Sequence, residues 1–436
     1  MGSLGNRRGL NLYCPSAVLS CTYSGLPYLA VVALASGLAG PLNHVTNGAP
    51  LLWGQSLGVL IPLAGALLAT MLWLPLQGRK PASGLGAYFI CSVLALWIVH
   101  VTLSRLHGDS VAYSIWLTPI TLLLLLWKPP SVQETLGGLR VLGWTLVNSL
   151  LIVLTLEFVG LLQVFALPEG IIEFDVSNYW LPLSGVLGFE GRWPGPYRHP
   201  NEVGVIAAFL IVLAGVVKGR SSWIFAGFGL VFLLLSGTRA AYVSAAFGLA
   251  VLVVFGSIPI LRRIPLHTRL AASVLTVSVV ATLMLSQSMN LTGRTTTIWP
   301  AFLDLWNSSP WVGVGSSGMA SAGGVAAQYM HGHNIAIDEL SRNGLVGFTV
   351  MILVLILWII LCVRSLLAGR PGPAALAAMY LVIGISHTPA NWLALSPPLL
   401  VVLLSGVLGA GYIQPDSQFT GTPRLGSITS KLRRTA

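Results

Sequence analysis

The sequence contains little charge. Asp, Glu, Lys and Arg make up only 8% of its 436 residues, whereas 55% are hydrophobic, and the mean hydropathy is +0.82. Soluble globular proteins carry about 25% charged residues, so these residues could not form a water-exposed surface. The composition therefore excludes a separate soluble catalytic domain and indicates an integral membrane protein.

Cysteine is also scarce. The four cysteines all lie in or beside apolar segments, at Cys14, Cys21, Cys91 and Cys362. None lies in a long loop, so no disulfide framework is predicted. The sequence also has no internal repeat and no low-complexity tract.

Long apolar stretches dominate the chain. A helical crossing needs roughly 20 apolar residues, and twelve stretches are candidate spans: 17–40, 51–76, 83–104, 111–127, 141–166, 202–217, 222–236, 240–258, 270–289, 345–363, 374–392 and 395–413. Two segments between them, 167–201 and 290–344, are too long and too polar to be turns. We therefore predict an all-α polytopic membrane protein with about twelve transmembrane helices in one domain, 1–413, and a disordered cytoplasmic tail, 414–436.

Basic residues predict the orientation, because Lys and Arg accumulate on the cytoplasmic side of membrane proteins. With both chain ends in the cytoplasm, six of the 23 Lys and Arg residues face outward and the other 17 face inward. The outward residues are Arg105, Arg192, Arg198, Arg239, Arg294 and Arg342. Both long loops then lie outside. The net charge of +11 reflects this topology, and no nucleic-acid partner is predicted.

The first span leaves one alternative open. The pair Arg7 and Arg8 precedes an apolar run with a small-x-small pattern at 33–35, which signal peptidase accepts. An uncleaved helix is favoured because the run from 15 to 40 is longer than a usual signal-peptide core.

The eighth span begins with an unusual cation. Arg239 follows Leu-Ser-Gly-Thr at 235–238 and lies at the positive end of the helix dipole, where burial near the bilayer adds to the cost of its charge. An anion should therefore compensate it. The partner is either a carboxylate, from Glu157 or Glu202, or the phosphate of a ligand, which a planar guanidinium binds through two hydrogen bonds.

A second polar cluster ends the first long loop. Within 192–202, Arg192 and Arg198 flank the aromatic residues Trp193 and Tyr197, and prolines restrict the backbone. The aromatic rings could lie against a sugar. The alternative is an interfacial anchor at the lipid headgroups.

The second long loop is predicted to be partly helical. Arg294 begins a short helix on the membrane surface, in which apolar residues recur at helical spacing. The glycines of 307–315 indicate a turn with a close backbone approach. An amphipathic helix then follows Asn334, breaks at Gly344 and leads into the tenth span.

Two histidines, His331 and His333, lie just before that amphipathic helix. An imidazole is the side chain best suited to accept a proton near neutral pH. Because several arginines are expected at the same side of the membrane, the two histidines are candidates for an acid/base site.

Other interpretations of the histidines stay open. Either one could be a loop or helix-capping residue. A metal site would combine them with Asp338 or Glu339, or would use the acidic segment 173–175. His100 and His387 lie in or near spans, where a packed and hydrogen-bonded role is favoured.

Taken together, these motifs resemble the O-antigen ligases and the related Wzy-type polysaccharide polymerases of bacteria. The resemblance rests on Leu-Ser-Gly-Thr-Arg-Ala-Ala at 235–241, Gly-Arg at 293–294 with Trp299, the turn at 310–315, His333-Asn334 before Gly344 and Gly347, and Arg198-His199-Pro200-Asn201. The motifs cover 192–350, and their order relative to the spans extends the resemblance across the chain.

The resemblance implies a GT-C-like fold and a metal-independent, inverting glycosyltransferase without a cofactor. Its donor would be a glycan on polyprenyl (undecaprenyl) diphosphate and its acceptor a hydroxyl of a glycan or glycolipid, at the outer face of the bacterial plasma membrane. His333 matches the general base of the family, although the neighbouring His331 leaves open which imidazole acts. Arg239 and Arg294 match the arginines that bind the diphosphate. The other candidate substrate-binding residues are Arg198, His331, Asn334 and Arg192.

Alternative functions also stay open. Ligases and polymerases share the motifs, and a ligase is favoured because the outer loops lack a duplicated Arg-rich pattern. A lipid or glycan transporter would also use a dozen helices, although transporters concentrate polar groups and broken helices at mid-membrane. Here Glu157 is the one clear charge within a span. A non-catalytic membrane scaffold is a further alternative.

Overall fold

The described part of the protein is built from helices, and none of its residues is in a β-strand. The computed structural model describes residues 26–45, 57–73, 81–109, 116–159, 192–193, 195–197, 200–217, 219–257, 265, 268, 294–329, 331–387 and 395–413. The predicted all-α class is confirmed for these residues. The predicted tail and most of the first long loop lie outside them.

Fourteen α-helices occupy the described residues. They are α1 (Leu26–Val45), α2 (Leu57–Trp73), α3 (Gly84–Leu106), α4 (Leu117–Trp127), α5 (Val132–Phe158), α6 (Pro200–Val216), α7 (Arg220–Ser236), α8 (Arg239–Leu252), α9 (Trp299–Ser308), α10 (Gly315–Ser321), α11 (Gly324–Tyr329), α12 (Ile335–Leu367), α13 (Gly372–Gly384) and α14 (Pro397–Ile413). A 3-10 turn at Gly195–Tyr197 precedes α6. Turns of π-helix follow α8 at Val253–Ser257 and precede α9 at Arg294–Ile298.

Several of these helices have the length and composition of membrane spans. Within the described residues, four are long and apolar enough to cross a membrane: Gly84–Leu106, Val132–Phe158, Arg239–Gly256 and Ile335–Leu367. The helices α1, α2, α4, α6, α7, α13 and α14 are shorter and also apolar. Each predicted span except the ninth overlaps one of these helices, and 270–289 lies outside the described residues. The helices support a membrane-embedded protein, whereas the number of twelve spans stays a prediction.

The helix α5 begins well before the predicted fifth span, 141–166. Ser131 and Glu134 form a capping box: the Ser131 hydroxyl accepts from the Glu134 N–H at 3.3 Å, and the Glu134 carboxylate accepts from the Ser131 N–H at 2.8 Å. Such a box satisfies two N–H groups that a helix start leaves without partners. The charges of Glu134 and Arg140 interrupt the apolar pattern, but they do not interrupt the helix.

Loops that were predicted to face outward meet at one end of the bundle. Asp109, after α3, accepts hydrogen bonds from the N–H groups of Ser316 and Ser317 at the start of α10. The indole of Trp193 donates a 2.5 Å hydrogen bond to Glu157 in the last turn of α5. We call this the outer end of the bundle.

The opposite, inner end carries residues that were predicted to be cytoplasmic. The Tyr28 hydroxyl donates a 3.2 Å hydrogen bond to the carbonyl of Lys128, between α4 and α5. The guanidinium of Arg370, between α12 and α13, lies 5.5 Å from the ring centroid of Tyr412. These contacts agree with the predicted alternation of the helices. Which end faces the cell interior stays a prediction.

The helix α6 runs through the interior of the bundle. It is buried along most of its length and packs against α7, α8 and α13. A Cβ on Gly204 would lie 2.6 Å from the side chain of Thr238, so a glycine is needed for this approach. The close fit brings Asn201 and Glu202, in the first turn of α6, against the outer end of α8.

The second long loop has a small apolar core of its own. Ile298, Phe302, Met319 and Ala326 are buried together, separately from the main core. The predicted short helix after Arg294 is confirmed, since the turn Arg294–Ile298 leads directly into α9. This loop is therefore a folded cap on the outer end of the bundle.

Candidate functional site

The long helix α12 is broken at Gly344, as predicted. Gly344 has φ 63° and ψ −164°, and a Cβ there would lie 2.4 Å from the backbone of Trp311. Beyond the break, the Leu345 N–H donates to the carbonyl of Pro310 at 2.8 Å. The predicted turn and the helix break therefore fit together. They separate residues 335–343, which we call the site arm, from the apolar part of α12.

The site arm is attached to α3 by a buried polar contact. Glu339 Oε1 lies 2.7 Å from Nε2 of His100, and both side chains are buried. Asn343 donates a 3.1 Å hydrogen bond to the same carboxylate oxygen. The predicted packed and hydrogen-bonded role of His100 is confirmed.

The segment before the site arm is held in a fixed turn. Asn334 is the N-cap of α12, and its side-chain oxygen accepts from two backbone N–H groups of the first turn, at 2.9 and 3.2 Å. Asp338 accepts from the N–H of Gly332 at 3.2 Å. His333 has φ 51°, a left-handed conformation that costs free energy for a residue with a Cβ. Local hydrogen bonds on both sides of His333 stabilise this turn.

Three imidazoles come together at the outer end. The ring centroids of His331 and His333 are 4.1 Å apart, and the His387 centroid is 6.0 Å from the first and 6.3 Å from the second. The Tyr329 ring lies 5.6 Å from that of His333. His333 is 4% exposed and His387 is also 4% exposed, so the cluster lies below the protein surface.

The outer end of α13 is bound at three consecutive residues. The Asn334 side chain donates a 2.8 Å hydrogen bond to the carbonyl of Ile385, and the Arg294 guanidinium donates to the carbonyl of Ser386. At the next position, His387 Nε2 lies 3.2 Å from Glu202 Oε1. Elements that are far apart in the sequence therefore meet at 385–387.

Arg192 organises the turn before α8. Its guanidinium donates to the carbonyl of Ser236, to the Asn201 side chain and to the Thr238 hydroxyl, each at 2.7 Å. Arg239 follows as the first residue of α8, as predicted, and it is exposed. Because Asn201 and Glu202 are neighbours, α6 connects this turn with the histidine cluster.

The aromatic residues of 192–197 are packed inside the protein. Trp193 is 1% exposed and stacks on Phe232, with centroids 5.9 Å apart. The Tyr197 hydroxyl is buried, and this burial, followed by the negative charge of Glu202, raises the pKa of Tyr197 well above its ordinary value. The structure therefore favours a packing role for both rings over contact with a sugar. Arg198 lies outside the described residues.

The two carboxylates considered as metal ligands have protein partners. Glu339 contacts His100 at 2.7 Å, and Asp338 lies 3.7 Å from the guanidinium of Arg342. Among the described residues, no group of three or more His, Cys, Asp and Glu side chains has the arrangement of a metal site. The acidic segment 173–175 lies outside the described residues.

The structure adds two residues to the predicted site, His387 and Glu202. His387 was interpreted as a packed residue because it lies near the end of a span. Its hydrogen bond is confirmed, but its partner and neighbours belong to the candidate site. One sequence signal was present: both residues fall at predicted outward ends of spans, where a polar residue meets the polar loops.

No protein-family model matches the sequence, and no curated protein is significantly similar to it. The resemblance to O-antigen ligases and polymerases therefore depends on the short sequence motifs. The geometry described above places three imidazoles near a half-buried guanidinium at the capped end of an apolar bundle.

Proposed function

We propose that the protein is a membrane-embedded glycosyltransferase of the O-antigen ligase type. It would move a glycan from undecaprenyl diphosphate to an acceptor hydroxyl, with inversion at the anomeric carbon and without a metal. The observation that carries this proposal is the convergence of His331, His333 and Arg294 on one short segment, 385–387, at the outer end of the bundle.

The chemistry of the transfer requires groups of these two kinds. Negative charge grows on the departing diphosphate, while the acceptor hydroxyl loses a proton. Fixed guanidiniums stabilise the first change and a neutral imidazole accepts the proton of the second. Two or three guanidiniums would offset the diphosphate charge, so a metal ion is not needed for this purpose.

His333 is the proposed general base. It is buried, its backbone is held in the turn before α12, and its ring contacts that of His331. Burial excludes competing water from the proton acceptor. His331 is half-buried and would help to bind the acceptor, as would Asn334, whose side chain bridges the start of the site arm and Ile385.

Arg294 and Arg239 are the proposed diphosphate ligands. Arg294 is half-buried beside Ser386, and Arg239 is exposed at the start of α8. Arg192 would act indirectly, because its guanidinium binds three protein oxygens of the adjacent turn. Arg198 stays a candidate ligand from the sequence resemblance.

The proposed setting is the bacterial inner membrane, with the site on the periplasmic face and about twelve spans in a GT-C-like arrangement. Gly256 packs against Pro371 at the inner end, whereas Arg294 contacts Ser386 at the outer end. Residues 256 and 294 thus lie at opposite ends of the bundle, and a ninth span stays proposed for 270–289. The polyprenyl chain would lie among the apolar helices, in contact with membrane lipids.

A strain that lacks the gene tests the proposal directly. It would be complemented with the wild-type protein, His333→Ala or His331→Ala, and its lipid-linked glycans would be measured by mass spectrometry. We expect His333→Ala to accumulate the lipid-linked donor as the deletion does, because loss of a general base lowers the rate by about 10²- to 10⁴-fold. His331→Ala is the matched control for removal of a neighbouring ring, and it should retain more transfer.

The nature of the accumulating glycan distinguishes the two reactions of this family. Long capped chains would support a ligase, and single repeat units would support the alternative, a Wzy-type polymerase. A transporter of lipid or glycan would barely respond to His333→Ala. Full transfer by both histidine variants would exclude the assigned base.

A further inference from the structure

The Glu202–His387 contact joins a buried imidazole to a carboxylate that reaches the surface. Glu202 Oε1 and His387 Nε2 are 3.2 Å apart, and the side chains are 35% and 5% exposed, respectively. His333, the proposed base, is 4% exposed. Both imidazoles are therefore buried, and Glu202 is the member of the series that reaches the surface.

The carboxylate also determines which nitrogen of His387 carries a proton. An ionised carboxylate only accepts hydrogen bonds, so Nε2 must be the donor in this contact. In the neutral ring, Nδ1 is then the nitrogen that can accept a proton. A carboxylate that orients an imidazole in this way also compensates the positive charge when the ring is protonated.

The three imidazoles are close enough for one bridging group to relay a proton among them. His331 and His333 are in direct ring contact at 4.1 Å, and His387 is 6.0 and 6.3 Å from them. A bridging water or substrate hydroxyl can connect polar groups across such a gap. Among the described residues, the other titratable or charged groups beside this cluster include Tyr329, Tyr197, Arg294 and Asp338.

We propose that His387 and Glu202 form the route by which the proton of the acceptor hydroxyl leaves the site. This inference rests on the proposed glycosyl transfer. In that step the acceptor oxygen bonds to the anomeric carbon, and the bond from this carbon to the diphosphate oxygen breaks, with its electron pair going to the diphosphate. The hydroxyl proton goes to His333, then through a bridging water to Nδ1 of His387, and the Nε2 proton of His387 passes through Glu202 to water. His387 is then protonated at Nδ1 alone, and exchange of this proton for one on Nε2 restores the hydrogen bond to Glu202 before the next turnover. Every proton taken up is thus returned to solvent, and His333 is neutral again for the next turnover.

The route predicts a difference between one turnover and many. In purified protein, His387→Gln and Glu202→Gln should catalyse a single turnover of the lipid-linked donor at a rate within about twofold of wild type. Their steady-state rate should fall to about one-tenth of the wild-type rate or below, because His333 regains its neutral form slowly. The donor and acceptor lipids extracted from the deletion strain would serve as substrates.

Added imidazole provides the second readout. As a diffusible proton acceptor, it should restore steady-state transfer in both variants and leave the single-turnover rate unchanged. His100→Gln is the matched control, because His100 and Glu339 form another buried imidazole–carboxylate pair at the outer end. His100→Gln should change the single-turnover rate and the steady-state rate by the same factor relative to wild type. Imidazole should not restore either rate. Thermal unfolding would verify that each variant is folded.

Three outcomes would overturn the route. The first is unchanged steady-state transfer in both variants, and the second is an equal loss of both rates without rescue by imidazole. In the third outcome, His331→Gln alone loses steady-state transfer, keeps its single-turnover rate and is rescued by imidazole. This result would assign the route to His331. Absence of transfer by the wild-type protein would instead reject the proposed function, and the route with it.

Discussion

Glu339 Oε1 lies 2.7 Å from His100 Nε2, and this buried contact attaches the site arm to α3. The two residues are far apart in the sequence, on a predicted span and on a predicted outer loop. Their contact explains how a short amphipathic segment, broken from its helix at Gly344, keeps a fixed position below the histidine cluster.

Removal of the carboxylate alone should destabilise the protein. Glu339→Ala leaves the buried imidazole without its partner, and we expect the free energy of unfolding to fall by about 3 kcal/mol. The double variant His100→Leu with Glu339→Leu should lose less, because only the neutral Asn343 amide, and no buried imidazole or carboxylate, is then left without these partners. Denaturant unfolding in detergent micelles would measure both. A double variant as unstable as the single one would contradict this explanation.

Gly344 should tolerate no side chain. In Gly344→Ala the added Cβ meets the backbone of Trp311 at 2.4 Å, in addition to the unfavourable φ of 63°. We expect a loss of about 3 kcal/mol or more in unfolding free energy. Gly369→Ala is the control, because Gly369 has φ 75° but no atom within 4 Å of its Cβ position. That variant should lose only about 1 kcal/mol, and equal losses would contradict the steric argument.

Acidification should loosen the outer cap. Burial acts to raise the pKa of Asp109, but hydrogen bonds from Ser316 and Ser317 outweigh it and hold the pKa below the ordinary value of 3.8. Because the folded pKa is the lower one, the carboxylate stabilises the cap fully above pH 3.8, and this contribution is lost as pH falls through the folded pKa. Amide hydrogen exchange of 315–321, corrected for intrinsic rates, should therefore accelerate in acid.

The Asp109→Asn variant tests the origin of this effect. Its exchange at 315–321 should be faster at neutral pH and should depend less on acidification than in the wild type. Asp304→Asn, on the exposed face of α9, should behave as the wild type. If both variants retained the acid dependence, another group would be responsible.

Arg192 and Arg239 should separate stability from activity. Arg192→Ala removes three charge-assisted hydrogen bonds and should lower the free energy of unfolding by about 3 kcal/mol. Arg239→Ala removes an exposed side chain and should change stability by about 1 kcal/mol or less, the upper range for an exposed charged contact. Its transfer rate should nevertheless fall by about 10²-fold if it binds the diphosphate. Thermal unfolding and transfer assays would be carried out on both variants. A large loss of stability in Arg239→Ala, or an unchanged transfer rate in that variant, would contradict these roles.

Much of the fold followed from local sequence patterns. The helix break at Gly344, the short helix after Arg294 and the position of Arg239 in the first turn of α8 are all confirmed. The start of α5 was misplaced because Glu134 and Arg140 interrupt the apolar pattern, whereas a capping box extends the helix past them. Hydropathy measures the apolar part of a helix, and a capping box determines where it begins.

The candidate site was predicted only in part. His331, His333, Asn334 and Arg294 were expected near one another, and they meet at the outer end of α13. The partners they meet there, Ser386 and His387, were not expected. The rotation of α13 about its axis determines which of its residues face the loop, and an almost uniformly apolar helix gives no periodic signal for that rotation.

The sequence by itself determined that this chain forms apolar helices and which of its loops share a side of the bundle, because hydrophobicity and charge act on each segment separately. Only the tertiary structure decided that Glu202, His333 and His387 lie together and that Arg192 binds a turn of its own protein. Those contacts depend on how closely and at what rotation the helices pack, and small residues such as Gly204 permit that packing through van der Waals contact.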